Sequence, residues 1–359
     1  MHRFSLIKIV KILFVIILIV KIIIFFLVKI WYPDFISQGG DSDYYNDYAL
    51  GLDVEASTIW PIFLKSANDL GVYNRNVISC LLFTMASLLV PILFAKLLPK
   101  INDNISIREY QLYCWCFILI VAIYPTIFVY SLDIYRDVLM VVLFGFCLHL
   151  IKKIISTPII NRVPLFIVFS IVSYLLFLFR PYLGFAVFTA IFFYRFEKIK
   201  LKLSWLVLIA LTVLALANSL GILDPLYVYR EGGGFDDGGS TLGITMSGRS
   251  FFDFIAMYLY STILQLFGLY INSSKALLIF IAESLFFMVC VIYTVKNRRY
   301  LTPFLRYLIV FSIIYGTIWI LANDNLGTAV RLRIYNYLAL FLIAASIYFQ
   351  KAITVKSIK

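Results

Sequence analysis

Asp41, Asp43 and Asp47 fall within GGDSDYYNDY, residues 39–48, interleaved with Tyr44, Tyr45 and Tyr48. Carboxylates spaced this way, just past a long apolar run, have two chemical uses. One can act as general base on a hydroxyl, or several can hold a divalent ion. The plainer account is a solvated, turn-forming loop with an Asx turn.

Three further constellations could do chemistry. In Tyr124–Asp137, YPTIFVYSLDIYRD, a very short turn between two apolar runs brings Asp133, Arg136 and Asp137 to a membrane surface. An aspartate favoured at a helix N-terminus and an arginine anchored at headgroups explain part of that pattern. Arg180-Pro181-Tyr182 joins two short apolar runs with no other charge nearby in sequence. An arginine so placed is costly without a partner or ligand, and a pyrophosphate suits it, because guanidinium pairs bidentately with phosphate oxygens. Asn323–Arg333, NDNLGTAVRLR, is a turn followed by Arg331 and Arg333, which diverge on a helix so that one at most faces a site. Arg249 is a further cation. Glu283, alone in an apolar run, reads as an interhelical hydrogen bond.

The elements that must position these residues are membrane spans. Of 359 residues 63% are hydrophobic and 14% charged, and mean hydropathy is +0.96. The fold expected is all-α: a polytopic membrane bundle of about ten transmembrane helices plus an outer interfacial or re-entrant helix at Phe251–Ile271. One membrane domain, 1–359, is expected, with long outer loops at 31–75 and 221–275. Ser57–Leu70 reads as a short interfacial helix capped by Ser57 or Thr58 and ended by Gly71. Glycines at 232–234 and 238–239 suit a flexible loop or a mobile flap. Lys21, inside the first run, must snorkel or face the protein interior.

Basic residues alternate between loops in a way that sets both termini inside and most acids outside. That bias explains the net charge of +12 without a nucleic-acid partner. The five cysteines all lie in apolar runs and read as small hydrophobes. His2 and His149 alone leave nothing from which to build a histidine metal site or a Ser-His-Asp triad. No cofactor is expected. Asp41-Ser42-Asp43 matches the DxD pattern of soluble nucleotide-sugar enzymes, but their nucleotide-binding α/β domain has no counterpart here.

Three local patterns carry a resemblance. They are the acidic segment GGDSDYYNDYA with a following Trp-Pro stretch, the set Pro125, Tyr130, Ser131, Arg136 and Asp137 across a hairpin, and Asn325, Gly327, Thr328, Ala329, Arg331 and Arg333. Together they resemble bacterial polysaccharide polymerases of the Wzy type, and more loosely the GT-C membrane glycosyltransferases. The arginine-x-glycine spacings of some members are missing. The resemblance implies an enzyme at the outer face of the bacterial inner membrane. It transfers a glycan from undecaprenyl diphosphate to another lipid-linked repeat unit, as in O-antigen or capsule synthesis. Membrane lipid and a chain-length regulator protein are the implied partners. The expected catalytic carboxylates are Asp41, Asp43, Asp133 and Asp137. Arg136, Arg180, Arg249, Arg331 and Arg333 are the expected diphosphate ligands. Two other activities fit the same residues: a GT-C transferase adding one sugar from a polyprenyl monophosphate, and a flippase for lipid-linked oligosaccharide.

Overall fold

Apolar runs of about 20 residues in lipid have one stable open-chain solution, the helix, which satisfies its own N–H and C=O groups. In the computed structural model every residue is described except 1, 32–39, 53–54, 100–105, 159–160, 196–202, 232–240, 272 and 358–359. The glycine-rich segment at 232–239 therefore lies outside the described residues. The described residues form an all-α polytopic membrane bundle without a strand; Thr241 and Asn325 make one isolated antiparallel bridge.

Seven helices among the described residues are long and apolar enough to cross: Leu6–Trp31, Arg75–Ala95, Asp137–Ser156, Arg162–Phe179, Ser274–Lys296, Pro303–Ala322 and Leu326–Ala352. Pro181–Phe193 and Leu208–Ser219 are apolar but shorter. The apolar run before the turn at 124–137 is a 17-residue helix, Ile107–Ile123, that stops at Tyr124 before Pro125. Proline disfavours a helical residue before it, which explains the break. Phe251–Gln265 spans 15 residues and is not among the seven.

The chain divides into two compact units. The first holds residues 1–188, 294–301 and 341–359, and the second 189–293 and 302–340. In the first unit, α1 is His2–Trp31, α2 Asp41–Leu50, α3 Ile59–Asp69, α4 Arg75–Ala95, α5 Ile107–Ile123, α6 Pro125–Val129, α7 Asp137–Ser156 and α8 Arg162–Phe179. Helix α9, Pro181–Phe193, runs on from it.

Helix α7 is the packed centre of the first unit. Met140, Val141, Phe144, Cys147, Leu148 and Ile151 are all fully buried. Gly145 lets α4 approach, since a Cβ there would run into Leu93. Lys21 faces the interior, with its ammonium 4.9 Å from the centre of the Phe128 ring. The acidic stretch expected as a loop is helix α2, which corrects that expectation. Gly40 is its extended N-cap, Asp41 and Asp43 occupy the first turn where the helix dipole favours anions, and Gly51 ends it with φ 77°. Helix α3 forms where expected, with Thr58 at its N-cap.

The second unit includes α10 (Leu203–Ser219), α11 (Asp224–Glu231) and α12 (Phe251–Gln265). It also includes α14 (Pro303–Ala322), α15 (Leu326–Leu332) and most of α13 (Ser274–Lys296). The first turns of α16, Ile334–Ser357, belong to it as well. Its core is aromatic with polar tips satisfied. Trp319 is fully buried and donates from Nε1 to Asn336 Oδ1 at 3.0 Å, while Asn336 Nδ2 donates to the Ser312 carbonyl at 2.8 Å. Replacing Asn336 by Leu strands the indole N–H, so stability should fall by about 1–3 kcal/mol. The melting temperature of the detergent-solubilised protein reads this directly; no change would mean that water takes over as acceptor.

Candidate functional site

Loops normally run over the surface, because a buried one carries polar backbone that must be matched. The connection from α6 to α7, residues 130–136, is an exception. Ser131, Leu132, Asp133, Ile134 and Tyr135 are all buried. Several of their polar groups have partners close by. Ser131 N–H donates to Phe128 O and Leu132 N–H to Val129 O, while Ile134 O accepts from Trp60 Nε1 of α3 at 2.8 Å. Ser42 of α2 donates to the Tyr135 hydroxyl at 3.4 Å. Helices α2 and α3 are thus fastened over this turn.

Asp133 is the electrostatic centre. Arg75 meets it bidentately, Nη2 to Oδ2 at 2.6 Å and Nε to Oδ1 at 3.0 Å. Lys29, in the last turn of α1, reaches Oδ1 at 3.4 Å, and the Ile134 N–H donates to the same oxygen at 2.9 Å. Arg75 opens α4, where the helix dipole disfavours a cation. Two carboxylates offset this, because Nη2 also donates to Asp43 Oδ1 at 2.8 Å. Burial alone would raise the Asp133 carboxyl. The Arg75 hydrogen bonds and the charges of Lys29 and Arg75 outweigh it and hold the group below the usual carboxylate range. Tyr73, whose hydroxyl donates to Asn46 Oδ1 at 2.9 Å, is pushed up to about 12, chiefly by burial, so its phenol stays protonated at neutral pH.

The next residues extend the cluster. Asp137, the first residue of α7, is 1% exposed and stands 3.5 Å from Nη2 of Arg180, itself 4% exposed. Arg180 looked isolated in sequence; the fold supplies its partner from 43 positions earlier. Arg136 is half-buried, and its Nε and Nη1 are buried without a hydrogen-bond partner among the described residues.

The expected residues therefore fall into two groups. Asp43 and Asp133 meet at Arg75, and Asp137 meets Arg180, all in the first unit. Asp41 is half-buried in the first turn of α2. Arg249, Arg331 and Arg333 belong to the second unit. Arg249 binds its own turn, Nε to the Thr245 carbonyl at 2.6 Å. Arg333 is buried and Arg331 half-buried, the divergence expected from their spacing. Glu283, read as a simple interhelical hydrogen bond, is an ion-pair partner of Arg333 at 3.6 Å. Arg75 and Lys29 were missed by the sequence reading. Their signal was a cation at each end of the acidic segment, one closing α1 and the other opening α4. Of the tyrosines of α2, Tyr45 is buried, Tyr44 accepts from Ser57 N–H and donates to the Glu55 carbonyl, and Tyr48 lies beneath Lys65.

Among the described residues no group of three His, Cys, Asp or Glu is placed to hold a metal ion. No family model, curated protein or solved structure matches the chain.

Replacing Arg75 by Met leaves the buried Asp133 with only Lys29 as countercharge and should destabilise the protein by about 3 kcal/mol. Arg75→Lys restores the charge without the bidentate fork and should recover only part of this, by thermal melting. Because the Asp133 carboxyl is lowered on folding, its contribution is complete above the ordinary value of about 3.9 and is lost as pH falls through the depressed one. The stability gap between wild type and Asp133→Asn should therefore be widest near neutral pH and close in acid. A gap independent of pH would remove the charge from the account.

Proposed function

We propose that the chain is a membrane-embedded glycosyltransferase: a polysaccharide repeat-unit polymerase that moves a glycan from undecaprenyl diphosphate onto a lipid-linked repeat unit. The working face on this reading is the outer side of a bacterial inner membrane. The observation that carries the reading is the guanidinium of Arg136, with two buried nitrogens that make no hydrogen bond among the described residues, one residue from the Asp137–Arg180 pair. Buried guanidinium donors of this kind suit the oxygens of a diphosphate. The three local sequence patterns point to the same chemistry, and one of them contains Arg136 and Asp137.

In the transfer, the acceptor hydroxyl oxygen bonds to the anomeric carbon of the donor glycan. The bond from that carbon to the diphosphate oxygen breaks, and its electron pair leaves with undecaprenyl diphosphate. Arg136 and Arg180 stabilise the charge that grows on this leaving group. The hydroxyl proton passes to a carboxylate of α2. Asp41 or Asp43, both in the first turn of α2, is the base on this reading, while Asp133 is saturated with donors. Asp133 and Asp137 then act as positioning residues that fix Arg75 and Arg180. Arg249, Arg331 and Arg333 take no part in this step.

The single-sugar transferase remains the second reading, favoured by the placement of Asp41 and Asp43 in one helical turn shortly after the first span. The product separates the two. Loss of a polymerase leaves single-repeat glycans, and loss of a transferase leaves an incomplete repeat.

Arg136→Gln should reduce polymer formation about a hundredfold or more, the scale of a lost charge-stabilising donor, while membrane insertion and melting temperature stay near wild type. Gel ladders of the lipid-linked glycan read this. Ladders of normal length from Arg136→Gln and Arg180→Lys would overturn the assignment of the diphosphate. Asp41→Asn should halt polymer while leaving the Arg75–Asp43 pair intact.

A further inference from the structure

Helix α3 closes the buried turn with one side, and its remaining sides differ in chemistry. Successive residues turn by about 100°, so Trp60, Pro61 and Leu64 share the buried side. Lys65 and Asp69 fall on one exposed flank. Phe63 and Leu70 fall on the other, with the half-buried Ile59 one turn before Phe63. Phe63 is 59% exposed and Leu70 78%. Single exposed apolar residues are ordinary, but an aligned row of them needs something to cover it.

Two sets of contacts fix where that row lies. The charged flank borders α2, with the Lys65 ammonium 5.5 Å from the centre of the Tyr48 ring. The apolar flank leads to a span instead. Phe63 stacks on Trp60 with ring centres 5.8 Å apart, and the Trp60 ring is 6.3 Å from that of Phe179, the last residue of α8. Beyond Leu70 and the exposed Val72 the chain enters α4, whose first turns expose Val77 and Leu81. The height of α3 is set by span ends. Lys29 in the last turn of α1 and Arg75 at the start of α4 both meet Asp133. Asp137 opens α7, and its partner Arg180 follows α8. Trp60 donates into the turn that these residues surround. Helix α3 therefore lies beside the ends of four spans, where hydrocarbon gives way to headgroups.

We propose that α3 is an anchor in the membrane surface and that lipid covers its flank of Phe63 and Leu70, both side chains entering the outer acyl region while Lys65 and Asp69 stay in water. The sequence pattern indicates an interfacial helix without saying which flank meets lipid; the contacts with Tyr48 and Phe179 choose the flank. The bilayer fits this row better than a second copy of the chain, because the row runs into α4 and α8, spans whose exposed apolar faces lipid covers in any case. Lipid then holds α3 down on the turn at 130–136 and keeps water from Asp133. The anchor is independent of the glycosyl-transfer reading.

The test uses the full chain, its five cysteines replaced by alanine, in nanodiscs of phosphatidylcholine. Phe63→Cys, Lys65→Cys, Leu70→Cys and Ile171→Cys, made singly, each carry a nitroxide label. Ile171 is an exposed residue of the span α8 and serves as the lipid reference. Collisions with dissolved oxygen, which concentrates in lipid, and with a water-soluble nickel chelate report the phase around each label. The labels at 63 and 70 should match the one at 171, with high oxygen and low nickel accessibility, and the label at 65 should show the reverse. Nickel accessibility at 63 and 70 equal to that at 65 overturns the proposal. Shielding from both reagents overturns it too, and dipolar broadening between labels would then assign the flank to a second copy. A second measurement needs no label. Phe63→Asp combined with Leu70→Asp should speed amide hydrogen exchange across residues 59–69 by about tenfold or more, the scale of two apolar side chains losing burial, while exchange in α7 stays at the wild-type rate. Unchanged exchange across 59–69 overturns the anchor.

Discussion

A carboxylate sealed from water stays ionised only where cations come to it. Asp133 is 3% exposed, and this constraint organises its unit. Three separate helices meet the demand or adapt to it. The last turn of α1 sends Lys29, the first turn of α4 sends Arg75, and α2 turns Asp43 toward the remaining donor of that arginine. The turn at 130–136 can therefore be buried without being helical. Several of its backbone groups bond locally or to Trp60, and the charge of Asp133 is matched.

Each buried pair serves position more than stability. Moving two charges out of water costs several kcal/mol per ion, which the pair roughly recovers, so little net stabilisation remains. What the pairs supply is location. Asp137 sets Arg180, Asp133 sets Arg75, and Glu283 sets Arg333, each across two different segments of chain. Removing one member is destructive because the other is then buried alone. Nitrogens of Arg136 and Arg333 that make no hydrogen bond among the described residues stand out against this matched background.

Helix α2 shows local physics overriding propensity. Asp, Asn and Ser are weak formers inside helices, and DSDYYND reads as a turn on that ground. At a helix start the same aspartates face a favourable dipole, and Gly40 and Gly51 supply the two ends. Tyr45 and Ala49 then bury one face of it. The acidic group is presented on a short rigid element instead of a loop.

Residue composition and the length of the apolar runs were sufficient for the fold class, because lipid permits few backbone solutions and asks only for enough apolar length. The short helix after Thr58 and the different surroundings of Arg331 and Arg333 were legible for equally local reasons. The pairings were not. Arg75 lies 32 residues from Asp43 and 58 from Asp133, and Lys29 lies 104 from Asp133. No period or spacing encodes which cation meets which carboxylate over such distances. Arg180 therefore looked unpartnered and Glu283 looked solitary until the helices were packed. Which arginine nitrogens keep no partner depends on that packing as well. It is a property of three-dimensional exclusion, decided only when neighbouring helices close off every other acceptor.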